Sequence, residues 1–359
     1  MDRPAKDGRH LARLIRSAIA LCHAAQARVA KKGSGRPVVY QQWQIDVLIV
    51  VAILCRRKTK SAIARFLLQH KTRLLAEFGV ELQLSKFPSR ATLMRRYKDD
   101  PELFEQAIIL QGRVALREHC CDAKVVSIDK SLIAARGPHR TKRDQQMGIV
   151  RRGVDVEAAW CPTSKEKKWI YGYSYEAVVS ASENSMIFPL LVSADRASKS
   201  EHRTILEKIP KLPKSTRVML ADSGYDGNAP GEAFEFDRRG QHTGRHFVCP
   251  LRARANKPAV GKTPRKGKRE RERRHRQMRE TFFNSRRGQQ LYHRRSQTIE
   301  PYHHWYKQLF DLEDRVWHKG LANNRTTLLA TQFIYQLLLR YNFACGNRNN
   351  EVQWILDAL

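Results

Sequence analysis

Two short apolar, β-branched runs each end on a carboxylate, and they constrain this chain more than any other feature. Val-Val-Ser-Ile (125–128) leads into Asp129, and Arg-Val-Met-Leu-Ala (217–221) leads into Asp222. A short apolar run bounded by turn residues is the pattern of a buried strand. Such strands need helices packed over them, so the expectation is an α/β chain, a mixed sheet with helices on its faces. Both acids are expected at strand ends, where the sheet fixes the backbone and the side chain faces a crevice.

The rest of the chain supplies those helices. Residues 1–31 read as a helix, Arg-rich and amphipathic over 9–30, and KKGSGRP (31–37) reads as a linker. Residues 41–55 form an apolar helix, 61–78 resume helical periodicity, and 84–98 give a turn and a short helix with Ser89 as N-cap. Pro101 opens a helix through about Leu116. Strand texture returns at 125–128, 168–175, 177–182, 186–194, 217–221 and 246–252, with a helix over 198–209 and Pro189 implying an edge or bulge. Residues 253–281 carry many Lys and Arg and almost no large apolar side chain, so they are expected to stay unpacked and mobile. Residues 302–356 return to helix, with a long apolar face at 327–343. The expected division is a helical N-terminal region (1–118) and an α/β domain (119–359) that carries a basic insert at about 253–285 and ends in helices.

Lys and Arg number 67 against 35 Asp and Glu, a formal charge of +32. An imbalance of that size selects a polyanionic partner, although charge alone does not separate DNA from RNA. The longest apolar stretch, Val47 to Leu54, is far too short to span a bilayer, and no charged-then-apolar signal opens the chain. The seven cysteines show no CxxC and no His/Cys ligand spacing. They read as reduced thiols of a cytoplasmic protein and give a structural zinc site little support.

A third acid, Glu300, stands in RRSQTIEPYHHWYK. Pro301 places it in the first turn of a helix, with Thr298 as the cap, and His303, His304 and Lys307 then return to roughly its face. Singly, each of the three acids is also an ordinary turn, cap or helix-start residue. Together, in so basic a chain, they point to a hard divalent cation, Mg²⁺ or Mn²⁺, and to two-metal phosphoryl chemistry. Neighbouring histidines face different sides of a helix, which weighs against a His/Glu metal site there. Segments 57–71 and 84–98 read as helix-turn-helix-like, with Arg90, Arg95, Arg96 and Lys98 on the second helix for phosphates or bases. The basic insert adds Lys266, Lys268 and Arg269.

These segments resemble the signatures of DDE-type transposases of bacterial insertion sequences, which have an RNase H-like catalytic domain. VVSIDKSLIAARG (125–137) resembles the first acidic block, and LADSGYDG (220–227) the second. Tyr292, Arg295, Glu300 and Lys307 resemble the Tyr-Arg-Glu-Lys third block, with an Arg-to-Glu gap one residue longer than the family's. WIYGYSYEAVVS (169–180) resembles the hairpin after the first acid, with Glu176 where the family often has His. PSRATLMRRY (88–97) and HKGLANNR (318–325) extend the likeness over most of residues 40–345. The resemblance implies that Asp129 bridges two metal ions, with Asp222 and Glu300 each completing one. It implies that Lys307 contacts a phosphate of the element end, supported by Tyr292 and Arg295. The implied enzyme binds terminal inverted repeats, frees a 3′-OH and joins it to target DNA, as a dimer on DNA in the bacterial cytoplasm. Two other readings stay open: an RNase H-like nuclease or resolvase that cuts without joining, and a non-catalytic DNA-binding protein derived from a transposase.

Overall fold

A computed structural model of the chain describes residues 8–29, 39–163, 168–252 and 266–359. Its centre is a mixed sheet of β1 (Val125–Ala134), β2 (Ala159–Pro162), β3 (Trp169–Ser180), β4 (Pro189–Arg196), β5 (Val218–Leu220) and β6 (His246–Val248). β1 pairs antiparallel with β3 and parallel with β5, and β5 pairs parallel with β6. β2 and β4 share the outer edge of β3. An antiparallel half on one side of β1 and a parallel half on the other is the expected RNase H-like arrangement. The strand expected to break near residue 176 is continuous, because β1 and β4 pair with β3 on either side of it. Pro189 cannot donate to the ladder, and the β3–β4 register shifts opposite it, between Val178 and Val179.

Ahead of the sheet come α1 (Gly8–Gln26), α2 (Gln42–Leu54), α3 (Lys60–Gln69), α4 (Lys71–Phe78), α5 (Arg90–Arg96) and α6 (Pro101–Arg117). Within and after it come α7 (Lys142–Gln146), α8 (Glu201–Lys208), α9 (Asn228–Glu235), α10 (Lys266–Asn284), α11 (Arg286–Leu309), α12 (Leu321–Ala344) and α13 (Gln353–Ala358). Every residue of α2 is buried, and α1, α3, α6 and α12 pack around it. α12 also lies on β4, so one hydrophobic core runs from the N-terminal helices through the sheet. The periodic stretch 61–78 divides into α3 and α4 at His70, and Ser89 caps α5 by accepting from the Thr92 amide at 3.2 Å. The linker expected at 31–37 lies outside the described residues.

The expectation of an unpacked basic insert fails from Lys266 onward. α10 packs on α9, β6 and α11 without aliphatic side chains to drive it. Aromatic stacking holds it instead: His275 lies on Phe236 at 3.8 Å, and Phe282 lies flat on His246 at 4.0 Å. Arg279 is buried beside Glu235 at 3.7 Å. All seven cysteines are free thiols. No helix among the described residues is long and apolar enough to cross a membrane.

At Gly172 of β3, an added Cβ would collide with the Ile133 carbonyl oxygen of β1. Gly172→Ala is therefore expected to push the two strands apart and destabilise the fold by about 1–3 kcal/mol. A lower urea midpoint at unchanged slope is the expected reading.

Candidate active site

The parallel register Ser127↔Leu220 builds the site. Asp129 and Asp222 each lie two residues further on, so strand alternation carries both side chains to the same end and face. β5 stops at Leu220, and Asp222 opens a tight turn in which its Oδ1 accepts from the Gly224 amide at 2.8 Å. Asp129, by contrast, does not end its strand. β1 continues to Ala134 because β3 stays paired with it, with Asp129 opposite Ala177. Only the β5 side of β1 is vacated, which leaves a crevice open on one side.

α11 lies along that crevice. Glu300 sits deep in this helix rather than in its first turn, and Ser285, not Thr298, is the N-cap. Pro301 is inside the helix, and the Thr298 hydroxyl donates back to the Arg294 carbonyl at 2.8 Å. Tertiary packing makes a helical proline tolerable here. Ile299, Tyr302, Tyr306 and Leu309 are buried, and the tyrosine hydroxyls bond to α12: Tyr302 to Gln332 Oε1 at 2.5 Å, Tyr306 to Thr331 Oγ1 at 2.7 Å. The neighbouring face of α11 meets β1. Arg295 Nη2 lies 2.9 Å from Asp129 Oδ2, and Arg295 Nη1 lies 3.8 Å from Glu300 Oε1. The extra residue between Arg295 and Glu300 is thus absorbed by the reach of the guanidinium, which links two of the three acids. Glu300 keeps 54% of its side chain exposed, against 19% for Asp129, so the crevice opens to solvent at Glu300.

Burial pushes the Asp129 carboxyl up to about 7. Arg295 pulls against that shift, and Asp222 and Glu201 push with it. Oxygen anions crowded this way, with Asp129 buried, suit a hard divalent cation. His303, expected to return to the Glu300 face, sits with Nε2 3.8 Å from Asp129 Oδ2 and Nδ1 2.9 Å from the Tyr175 hydroxyl. Burial takes its pKa down to about 3, so the ring is neutral. Its Nε2 and the Arg295 Nε are buried polar atoms without a hydrogen-bond partner, both beside Asp129. His304 points away and is largely exposed.

Lys307 donates to the Leu132 carbonyl at 2.9 Å and so pins α11 to β1. Tyr292 is half-buried among Phe283, Val248 and Leu220, edge-on to Phe283 at 5.2 Å. In the N-terminal region Arg90, Arg95 and Lys98 are exposed. Arg96 is instead engaged with Gln42 Oε1 at 2.8 Å and the Tyr40 carbonyl at 2.5 Å. α4 stands between the two helices read as helix-turn-helix-like. The side chains of Lys266, Lys268 and Arg269 lie outside the described residues.

Two residues near the acids, Glu201 and Lys130, carry no signal in the sequence. Glu201, in the first turn of α8, pairs with Lys130 at 3.0 Å. Its Oε2 and Asp222 Oδ1 both crowd the space above the Gly224 Cα, so the two carboxylates are neighbours. A Glu in a first helical turn is ordinary dipole chemistry, and nothing in SKSEHR distinguishes this one.

The family described as "Transposase DDE domain" matches residues 121–337, more than half of the 359-residue chain. The chain belongs to the DDE transposase family. A comparison with curated proteins gives no match.

Arg295→Met tests the charge arrangement. Removing the guanidinium raises the folded-state pKa of Asp129 further above its unfolded value of about 4. A raised carboxyl favours folding while protonated, and that contribution is lost as pH rises through the folded pKa. In EDTA the variant should therefore lose about 3 kcal/mol at pH 8 and clearly less at pH 5.5, by urea denaturation. Equal losses at both pH values would refute the pairing.

Proposed function

We propose that the protein is a transposase that binds the terminal inverted repeats of its element, cleaves DNA to expose 3′-OH ends and joins them to target DNA. The observation that carries this reading is the Ser127↔Leu220 register, which sets Asp129 beside Asp222 under the helix bearing Glu300. Asp129, Asp222 and Glu300 would hold Mg²⁺ or Mn²⁺, two ions per site, supplying acidity to the attacking hydroxyl and positive charge at the phosphoryl and leaving oxygens. Asp129, which neighbours Asp222 and pairs with Arg295, would be the central acid of the three.

The remaining residues position the DNA. Arg295, paired with Asp129, turns to a phosphate oxygen when DNA enters. Tyr292 supports that side of α11, and Lys307 keeps the helix seated while offering its remaining donors to the backbone of the element end. Arg90, Arg95 and Lys98 are exposed for the terminal repeat, and Arg96 braces their helix against α2. Residues 1–118 would thus read DNA and residues 119–359 cut it, two copies pairing two ends.

The deciding experiment incubates the protein with Mg²⁺ and DNA carrying the native flanks of its gene, beside Asp222→Asn. Cuts at both ends of an inverted repeat followed by strand joining are expected. Activity should fall roughly 10²–10³-fold or more in the variant while DNA binding persists. Cutting without joining would make the protein a nuclease. Full activity in Asp222→Asn would remove that residue from the site.

A further inference from the structure

Three potential metal ligands converge at the opposite end of β5 and β6 from the carboxylates. Glu235 closes α9, His246 opens β6, and His242 lies in the turn between them. One ligating atom from each lies within 4.8 Å of the other two. The register Val218↔His246 puts this cluster beside the start of β5, four residues before Asp222. At roughly 3.3 Å per residue that is about 13 Å from the acidic crevice. The catalytic reading does not use these residues.

The donor set differs from that of the crevice. Two imidazoles and one carboxylate are borderline ligands that suit Zn²⁺ rather than Mg²⁺, and three protein ligands leave one coordination position free. Each ligand is held by its surroundings, as ordered metal ligands are. Glu235 Oε1 accepts from the Phe247 amide at 2.9 Å, while its Oε2 faces Arg279 at 3.7 Å. The His246 ring is fixed by the stacked Phe282. His242 Nδ1 accepts from the Gly244 amide at 3.1 Å, and Phe236 meets the ring edge-on at 5.2 Å. The cluster borders a cavity of about 560 Å³ walled on its far side by Met278 and Phe282 of α10, so a fourth ligand has access.

We propose that Glu235, His242 and His246 form a second metal site, of the zinc class, that fastens the turn between α9 and β6 beneath helix α10. The consequence is mechanical. α10 is the basic helix that leads directly into α11, and it has few aliphatic contacts of its own. A metal clip under Phe282 stiffens the platform from which α11 reaches the crevice. The His-x₃-His spacing is present in the sequence, but Glu235 joins it only through the fold.

The test uses the full chain carrying Asp222→Asn, which weakens metal binding in the crevice. Zinc retention after dialysis, the visible absorption of a Co²⁺-substituted sample and the thermal midpoint are compared with and without a further His242→Ala. His242 is exposed, so its loss removes little packing beyond the edge-on contact with Phe236. The expected result is one retained Zn²⁺ per chain, a Co²⁺ spectrum of low-coordinate nitrogen ligation and a Zn²⁺-dependent rise in midpoint. His242→Ala should weaken zinc binding at least about tenfold and abolish the rise, and His242→Cys should restore both. No retained zinc, or equal retention with and without His242, would overturn the proposal.

Discussion

A buried ion pair sets the relation between the two halves of the sheet. Glu176 of β3 and Lys208 of α8 meet at 2.7 Å with almost no solvent exposure. Glu176 Oε2 also accepts from Thr204 at 2.6 Å and from Tyr225 at 2.9 Å, and Lys208 donates to Ser193 of β4 at 2.5 Å. Tyr225 belongs to the turn opened by Asp222, and Glu176 lies opposite Lys130 in the register, next to Asp129. One carboxylate therefore holds β3, α8 and the Asp222 turn in a single arrangement. Loss of either partner would strand a buried charge, typically about 3–5 kcal/mol, so this arrangement tolerates little drift. A histidine at 176 would leave Lys208 without its counter-ion.

The same economy of charge governs the crevice. In a chain of formal charge +32, the acids are gathered where the sheet order brings β1, β5 and α8 together. Lys130 pairs with Glu201, and Arg295 pairs closely with Asp129 and more loosely with the exposed Glu300, which leaves Asp222 without an ion pair among the described residues. Burial lifts the Asp129 carboxyl to about 7 against the pull of Arg295, so its charge responds to what enters the crevice. A strongly basic chain around a small acidic recess is suited to drawing in a phosphate backbone while keeping carboxylates at its centre.

Much of this is legible in the sequence because it depends on short-range pattern. The apolar runs before Asp129 and Asp222 read as strands, Ser89 reads as a cap, and 327–343 reads as a buried helix, and the fold has all of them. The departures share a cause. Local pattern places Asp129 at a strand end because VVSI is apolar and the next residues are polar, yet long-range pairing with β3 carries the strand six residues past Ile128. Pro301 argues for a helix start at Glu300, yet α12 supplies packing that overrides the proline. The helix at 266–284 escapes a reading by hydrophobic periodicity because its contacts are aromatic stacks and a buried guanidinium. Glu201 and the Glu176–Lys208 pair join residues far apart in sequence, and no local pattern signals them.

The proline in α11 has a further meaning. Pro301 has no amide hydrogen, so the Gln297 carbonyl loses its intrahelical donor. One turn earlier, the Thr298 hydroxyl already competes for the Arg294 carbonyl. The helical ladder is therefore weakest over the stretch that carries Arg295 and Glu300. On its C-terminal side, Tyr302 and Tyr306 clamp the helix to α12, and Lys307 ties it to β1. A weakened ladder beside firm anchors makes this the turn of α11 that resists small backbone shifts least. The sequence concentrates helix-weakening chemistry at the turn that bears the two residues flanking Asp129 in the crevice.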